Sequence, residues 1–73
     1  MRIDEAAALL KRRYETALHG KVVAMHLFGI EYAEEIAAVG LTQVVAEAGI
    51  PASLATEIAK GIKLARFVEL KVS

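Results

Sequence analysis

The amino-acid sequence predicts a compact, mainly helical fold of about four helices with one or two short β-strands. Apolar residues recur at helical spacing near the start of the chain, and two short apolar-faced segments flank a glycine in its second half. Near the end, apolar and polar residues alternate, which is typical of a strand. The chain has 73 residues, a length that suits one domain, so we expect residues 1–73 to fold as a single unit.

The first helix is expected over residues 4–18. Four apolar side chains recur there at steps of four residues and so share one helix face: Ala6, Leu10, Tyr14 and Leu18. Asp4 is expected to cap the N-terminus, since a carboxylate accepts hydrogen bonds from the free backbone N–H groups of a first turn. Gly20 is expected to end the helix, because helices commonly end at a residue with positive φ.

Residues 22–28 form an apolar run that periodicity alone cannot assign to a strand or to a buried helix. Gly29 follows the run directly and would weaken a helix through it by about 1 kcal/mol, which favours a short strand or extended segment. A second helix is predicted over residues 31–39, ending at Gly40. Its inward side chains are expected to be Ala33, Ile36 and Ala37.

Residues 62–72 alternate between apolar and polar side chains, most regularly from Phe67 onward. Successive side chains of a strand point to opposite faces, so this period of two predicts a strand over residues 67–72. A single strand is not stable alone. We therefore expect it to pair either with residues 22–28 or with the same strand of a second subunit.

Two short helices are predicted around Gly49, over residues 42–48 and 51–60. Helices that meet at a sharp angle need a residue that tolerates positive φ at the corner, and Gly49 supplies it. Thr42 is expected to cap the first of these helices and Pro51 to begin the second. The side chains expected where the two helices touch are Val44, Val45, Ala48, Ile50, Ala55 and Ile58. This pattern predicts a helix-turn-helix.

The stretch from Leu41 to Gly61 resembles the helix-turn-helix of phage repressors, Cro proteins and their bacterial relatives. The residues that carry the resemblance are Leu41-Thr42-Gln43, Ala48-Gly49-Ile50, Ser53, Thr56, Ile58 and Lys60-Gly61. Residues 62–72 are loosely similar to the strand of the Cro subset, whereas residues 1–40 show no match. Pro51 and Ala52 stand where that family commonly has polar residues at the start of the second helix.

The resemblance implies binding to double-stranded DNA, with residues 51–60 in the major groove. The residues implied to face base edges are Ser53, Thr56, Glu57 and Lys60. Gln43 is implied to contact a phosphate, and Lys63 and Arg66 are implied to reach the flanking DNA backbone. The implied function is a small, sequence-specific, dimeric regulator of transcription, a repressor or an activator, or a related DNA-binding accessory.

Composition bears on the oligomeric state and on the alternative function. Apolar residues make up 56% of the chain, more than a domain this small can bury, so a homodimer is expected. Nine basic and nine acidic residues cancel, so the chain lacks the basic balance that is typical of nucleic-acid binders. The alternative is a protein-binding module of the antirepressor or antitoxin kind, with a helix-turn-helix-like fold that does not bind DNA. The neutral charge, the high apolar content and a possible edge strand at residues 67–72 all suit binding to a partner protein.

Catalysis and membrane insertion are not expected. The chain has no cysteine, its two histidines have no matching acid pair, and no nucleophile–base arrangement stands out. We therefore expect no enzyme activity, no catalytic or metal-binding residues and no cofactor. The longest apolar stretch, Val22–Ile30, is far shorter than the roughly 20 residues that span a bilayer. Asp4 and Glu5 lie where a signal peptide needs positive charge, so we expect a cytoplasmic protein.

Overall fold

A computed structural model describes residues 1–71 of the chain, and within this range it contains five helices and no strand. The helices are α1 (Ile3–Glu15), α2 (Lys21–Glu31), α3 (Ala33–Val39), α4 (Leu41–Ala48) and α5 (Leu54–Leu64). Helix α2 packs against α5 in the most extensive helix–helix contact, and α1 packs against α4 in the next. The prediction of a mainly helical fold is confirmed, and the predicted strands are not found in the described residues.

One apolar core joins all five helices. Its largest fully buried side chains come from every helix in turn: Leu10, Met25, Phe28, Ile36, Val44 and Ile58. Burying a side chain of this size stabilises the folded state by about 1.5–3 kcal/mol, so each of these six residues contributes strongly to stability. The described residues include no buried polar or charged side chain.

Helix α1 is shorter at its C-terminus than the sequence suggested. It ends at Glu15, where the Thr16 hydroxyl donates a hydrogen bond of 2.8 Å to the carbonyl oxygen of Arg12. Gly20 has a φ of 100° and begins α2 instead of ending α1, which leaves Leu18 in the connection with 92% of its surface exposed. Asp4 lies inside the first turn and is not the cap. The carboxylate of Glu5 accepts the exposed backbone N–H of Arg2 there, at 3.1 Å.

The expectation that residues 22–28 are extended is wrong, because they form the middle of α2. The reason lies in the contact between α2 and α5. A Cβ on Gly29 would overlap the carbonyl oxygen of Ile58, and a Cβ on Gly61 would overlap the carbonyl oxygen of His26. The two glycines therefore let the helix backbones approach closely, and this packing offsets the low helix propensity of Gly29.

Helix α3 begins at Ala33 and ends at Gly40, whose φ of 97° confirms the predicted stop. Ile36 is fully buried as expected, whereas Ala37 is exposed and not inward-facing. The helix is only seven residues long, so one buried side chain fixes it against the core. Gly40 is also the N-cap residue of α4, which begins at Leu41. Thr42 therefore lies inside the first turn of α4 and is not its cap, contrary to the prediction.

The predicted strand over residues 67–72 does not form within the described part of the chain. Helix α5 continues to Leu64, and the backbone N–H groups of Phe67 and Val68 donate to the Leu64 carbonyl oxygen at 2.8 and 3.1 Å, which makes a turn. Residues 68–71 have no regular structure, and residue 72 lies outside the described range. Since residues 22–28 are helical, the strand lacks the intramolecular partner that it would need.

Candidate nucleic-acid interface

The turn between α4 and α5 has the predicted left-handed corner. Gly49 has a φ of 71° and a ψ of 23°, and its N–H donates to the carbonyl oxygens of Val45 and Ala46, both at 3.2 Å. Ile50 then returns the chain to the core, where it is buried. Apart from Gly49 itself and its two chain neighbours, no atom lies within 4 Å of the position that a Cβ on Gly49 would take. The backbone conformation alone, and not crowding, therefore favours glycine at this corner.

Helix α5 begins at Leu54, three residues later than expected. Between Pro51 and Leu54 the chain makes a turn in which the N–H groups of Leu54 and Ala55 donate to the carbonyl oxygens of Pro51 and Ala52, both at 3.0 Å. These two amides are thus already bonded within the protein. They are therefore not free to bind a phosphate in this geometry.

The two faces of α5 differ in chemistry. Its inner face contains Ile58 and Gly61, which are buried against the core and α2. Its outer face brings together four of the seven residues implied to contact DNA, all exposed and separated by three, four and three residues: Ser53, Thr56, Lys60 and Lys63. Side chains at this spacing lie above one another along a helix, so they form one polar, positively charged stripe.

Glu57 lies at the edge of this stripe and is held by two neighbours. Its Oε1 accepts a hydrogen bond of 2.9 Å from Nε2 of His26 on α2, so Nε2 carries the proton. The Nζ of Lys60 donates to both carboxylate oxygens at 3.4 Å. The bond from His26, supported by Lys60, holds the pKa of the Glu57 carboxyl below its usual value. Glu57 thus links α2 to α5, and the exposed Lys60 ammonium lies beside its carboxylate.

His26 is the residue of this site that the sequence did not reveal. The sequence suggested only a core or interface histidine, because its partner lies 31 residues away along the chain. Nothing in the local pattern pairs them, since only the packing of α2 on α5 brings the two side chains together.

The remaining implied contacts lie outside the α5 stripe. Gln43 is exposed on α4, with its side-chain amide folded against Gly40. Arg66 is exposed in the turn that follows α5. Both lie at the surface, but the structure places neither on the same helix face as Lys60.

A shallow apolar cleft of about 270 Å³ separates parts of α4 and α5. Its lining residues are Thr42, Val45, Ala46, Ile50, Ala52 and Ala55. Val45 and Ile50 are buried as expected, yet α4 packs mainly on α1 and α5 mainly on α2. The hairpin is therefore held chiefly by the other helices and less by direct contact between its own two arms.

Residues 1–71 contain neither a metal-binding cluster nor a membrane-spanning helix. No group of three His, Asp or Glu side chains in this range lies close enough to hold a metal ion. No helix in the same range has the length and apolarity to cross a membrane.

Comparison with known proteins gives one match. The model of a family described as HTH-like domain matches residues 2–71, which includes α1 to α3 as well as the turn at Gly49. No curated protein and no solved structure matches the chain. The match supports a helix-turn-helix domain in general and does not assign it to the phage repressor or Cro type.

Proposed function

The chain belongs to the family of HTH-like domains, and we propose on this basis that it is a dimeric, sequence-specific DNA-binding protein that regulates transcription in the cytoplasm. The observation that carries the proposal is the exposed stripe of Ser53, Thr56, Lys60 and Lys63 on the helix after the Gly49 turn. An HTH-like fold fits a DNA-binding regulator because its second helix is presented for insertion into a groove.

Each residue of the stripe has a role in this proposal. Helix α5 has 11 residues and is thus about 16 Å long, a length that the major groove, about 12 Å wide, accepts. The Ser53 and Thr56 hydroxyls both donate and accept, so they suit several base edges, whereas the Lys60 ammonium suits guanine acceptors. Lys63 contacts phosphates.

The residues beside the stripe complete the interface. Arg66 and Gln43 reach phosphates on either side of the groove. A contact from Glu57 to cytosine N4 would require its carboxylate to leave His26. We therefore assign Glu57 to positioning Lys60, with His26 as its support on α2.

Two subunits are part of the proposal because one subunit offers few cations. The chain has no net charge, and only Lys60, Lys63 and Arg66 lie along or just after the α5 stripe. Since phosphate contacts supply much of the affinity for DNA, a single copy would bind weakly. Two copies on half-sites about one helical turn apart would double the number of contacts.

The test is selection of DNA fragments by the purified chain, followed by binding measurements at several salt concentrations. We expect an enriched sequence whose affinity falls as salt rises. Replacing both Lys60 and Lys63 by alanine should reduce the slope of log K against log salt by about 1 per subunit, since Lys63 is the phosphate contact of the pair and each such contact contributes about 0.9. The loss of Lys60 should in addition weaken the preference for guanine. Thr56→Ala should change the preferred base with little effect on the slope.

A matched control removes the same charge elsewhere. Lys11 and Arg12 are exposed on α1, so the double alanine variant at these positions changes net charge equally without touching α5. We expect its salt slope to equal that of the unmodified chain. If no fragment is enriched, or if both double variants weaken binding equally, α5 does not bind DNA in this way.

The second candidate function is a protein-binding module, which the exposed apolar side chains of α2 favour. Val22, Val23 and Leu27 are all exposed on this helix. Binding through such a surface hardly depends on salt, in contrast to binding through phosphates. A partner protein captured with equal affinity at low and high salt, together with no DNA binding, would support this alternative.

A further inference from the structure

The outer face of α2 is an apolar strip. Val23 and Leu27 are 43% and 38% exposed, and Ile30, one turn further, is half-buried. Their separations of four and three residues place them on one helix face. Residues 22–30 contain no Asp, Glu, Lys or Arg, so no charged side chain from this run interrupts the strip. We call these three residues, with Leu18 just before the helix, the α2 strip.

The strip is distinct from the surfaces through which α2 holds the rest of the fold. The core side of α2 carries Met25 and Phe28, and its α5 side carries His26 and Gly29. At the N-terminal end of the strip, a mainly apolar cleft of about 170 Å³ opens between α1 and α2. Its apolar lining residues are Ala17, Leu18, Val23, Ala24 and Leu27, and its polar ones are Arg13, Thr16 and His19. A helix of another molecule could lie along the strip and fill this cleft without moving any helix of the chain.

We propose that the α2 strip binds a second copy of this chain, with the two α2 helices antiparallel about a twofold axis. The charges at the two ends of α2 support a second copy as the partner and an antiparallel arrangement of the two helices. The N-terminal end of α2 carries Lys21, whose ammonium lies 4.2 Å from the Tyr14 ring centroid. At the C-terminal end Glu31 is already paired with Arg13 of α1 at 3.0 Å, so the acidic charge there comes from Glu34 and Glu35 at the start of α3. An antiparallel pair places the basic end of each copy beside the acidic end of the other, whereas a parallel pair places like charges together.

Two further features agree with a second copy as the occupant. The chain has a net charge of zero, so two copies do not repel each other at long range. The helix dipoles of α2 also oppose each other in an antiparallel pair, which is the favourable arrangement. The inference deepens the proposed function, on which it rests, by naming the surface that joins the two DNA-binding subunits.

The area of the α2 strip sets the affinity that we expect for the dimer. A standard interface covers about 800 Å² on each partner, which is about one sixth of the 4951 Å² surface of this chain. Helix α2 is only about 16 Å long, so its outer face covers less than that. We therefore expect a dimer with a dissociation constant on the order of micromolar, which DNA with two half-sites makes tighter.

Cysteine cross-linking of the full chain tests the geometry directly, because the chain has no cysteine of its own. In the antiparallel pair Leu27 lies nearest the axis, so Leu27→Cys should form a disulfide-linked dimer. Val23→Cys alone and Ile30→Cys alone should not, since like residues are then about 10 Å apart along the axis, beyond disulfide reach. A mixture of these two variants should cross-link.

Sedimentation equilibrium over a range of concentrations tests the dimer without cross-linking. Leu27→Glu should weaken self-association roughly tenfold or more, because the twofold axis introduces two buried carboxylates. Phe67→Glu is the matched control, since Phe67 is 81% exposed but lies outside the strip. It should leave the dimer unchanged, and circular dichroism should show that both variants are folded.

The outcomes separate this inference from the proposed function. A chain that binds DNA but stays monomeric, or a dimer that Phe67→Glu weakens as much as Leu27→Glu does, overturns the α2 strip and leaves DNA binding intact. A dimer that Leu27→Glu dissociates, from a chain that binds no DNA, supports the strip and overturns the proposed function.

Discussion

The contact between Gly29 and Gly61 gives the sharpest test of the fold. Replacing Gly29 by alanine adds a single Cβ, which would overlap the carbonyl oxygen of Ile58 and lie 2.9 Å from the backbone nitrogen of Ile62. Both are backbone atoms of α5, so no side-chain rotation can relieve the crowding. Helix α2 has to move away from α5, and the contacts of the core around Ile58 loosen with it.

Two opposing effects set the size of the change. Alanine is the better helix former by about 1 kcal/mol, which favours the variant. Overpacking a close contact costs about 1–3 kcal/mol, and the upper end applies because the crowded atoms belong to the backbone. We therefore expect Gly29→Ala to lower the free energy of unfolding by about 2 kcal/mol. For a chain of this size the melting temperature falls by roughly 10 °C.

The assay is urea denaturation followed by circular dichroism at the helical band, with thermal melting as a second readout. Ala8→Gly is the matched control, because Ala8 is exposed in the middle of α1 and should lose about 1 kcal/mol on propensity alone. Both variants should thus lower the free energy of unfolding, although one replaces glycine by alanine at position 29 and the other replaces alanine by glycine at position 8. If Gly29→Ala is as stable as the unmodified chain or more stable, α2 and α5 do not approach each other at this point.

Two other changes test the turn and the site. Gly49→Ala should destabilise the chain by roughly 1–2 kcal/mol in urea melts, since φ is positive and no crowding adds to the cost, and Gly49→Asn should lose less. The His26 hydrogen bond lowers the pKa of Glu57, so the stability from this pair is present above the ordinary pKa of 4.5 and is lost as the pH falls through the lowered value. Glu57→Gln should flatten the dependence of stability on pH in that acidic range, and an unchanged profile would show that the pair does not contribute.

The turn and the outer face of α5 could be predicted from the sequence because both depend on local features. A positive φ at Gly49 is a property of one residue, and the stripe from Ser53 to Lys63 follows from spacing along a single helix. The residues implied to face DNA are therefore mostly exposed, as expected. Glu57 is the exception, because its partner lies on another helix.

The parts that were not predicted depend on contacts distant along the chain. Gly29 lowers the helix propensity of α2, and only its approach to Gly61 shows why a helix forms there. Gly20 could end one helix or begin the next, and the local sequence does not distinguish the two roles. The alternation of apolar and polar residues after Gly61 is compatible with a strand, but α5 includes the first residues of this segment and ends at Leu64.

Helix α2 has two different surfaces in this fold: one side faces α5, and the other is the exposed apolar strip. Its glycine side lets the α5 backbone approach closely, and His26 on the same helix donates a hydrogen bond to Glu57. Its outer strip is the surface that we propose joins two copies. If the strip joins two copies, the positions of the two α5 helices in the dimer depend chiefly on α2, because this helix contacts both the partner and α5. The spacing between half-sites would then be set by the crossing of α2 on α5, which Gly29 and Gly61 determine.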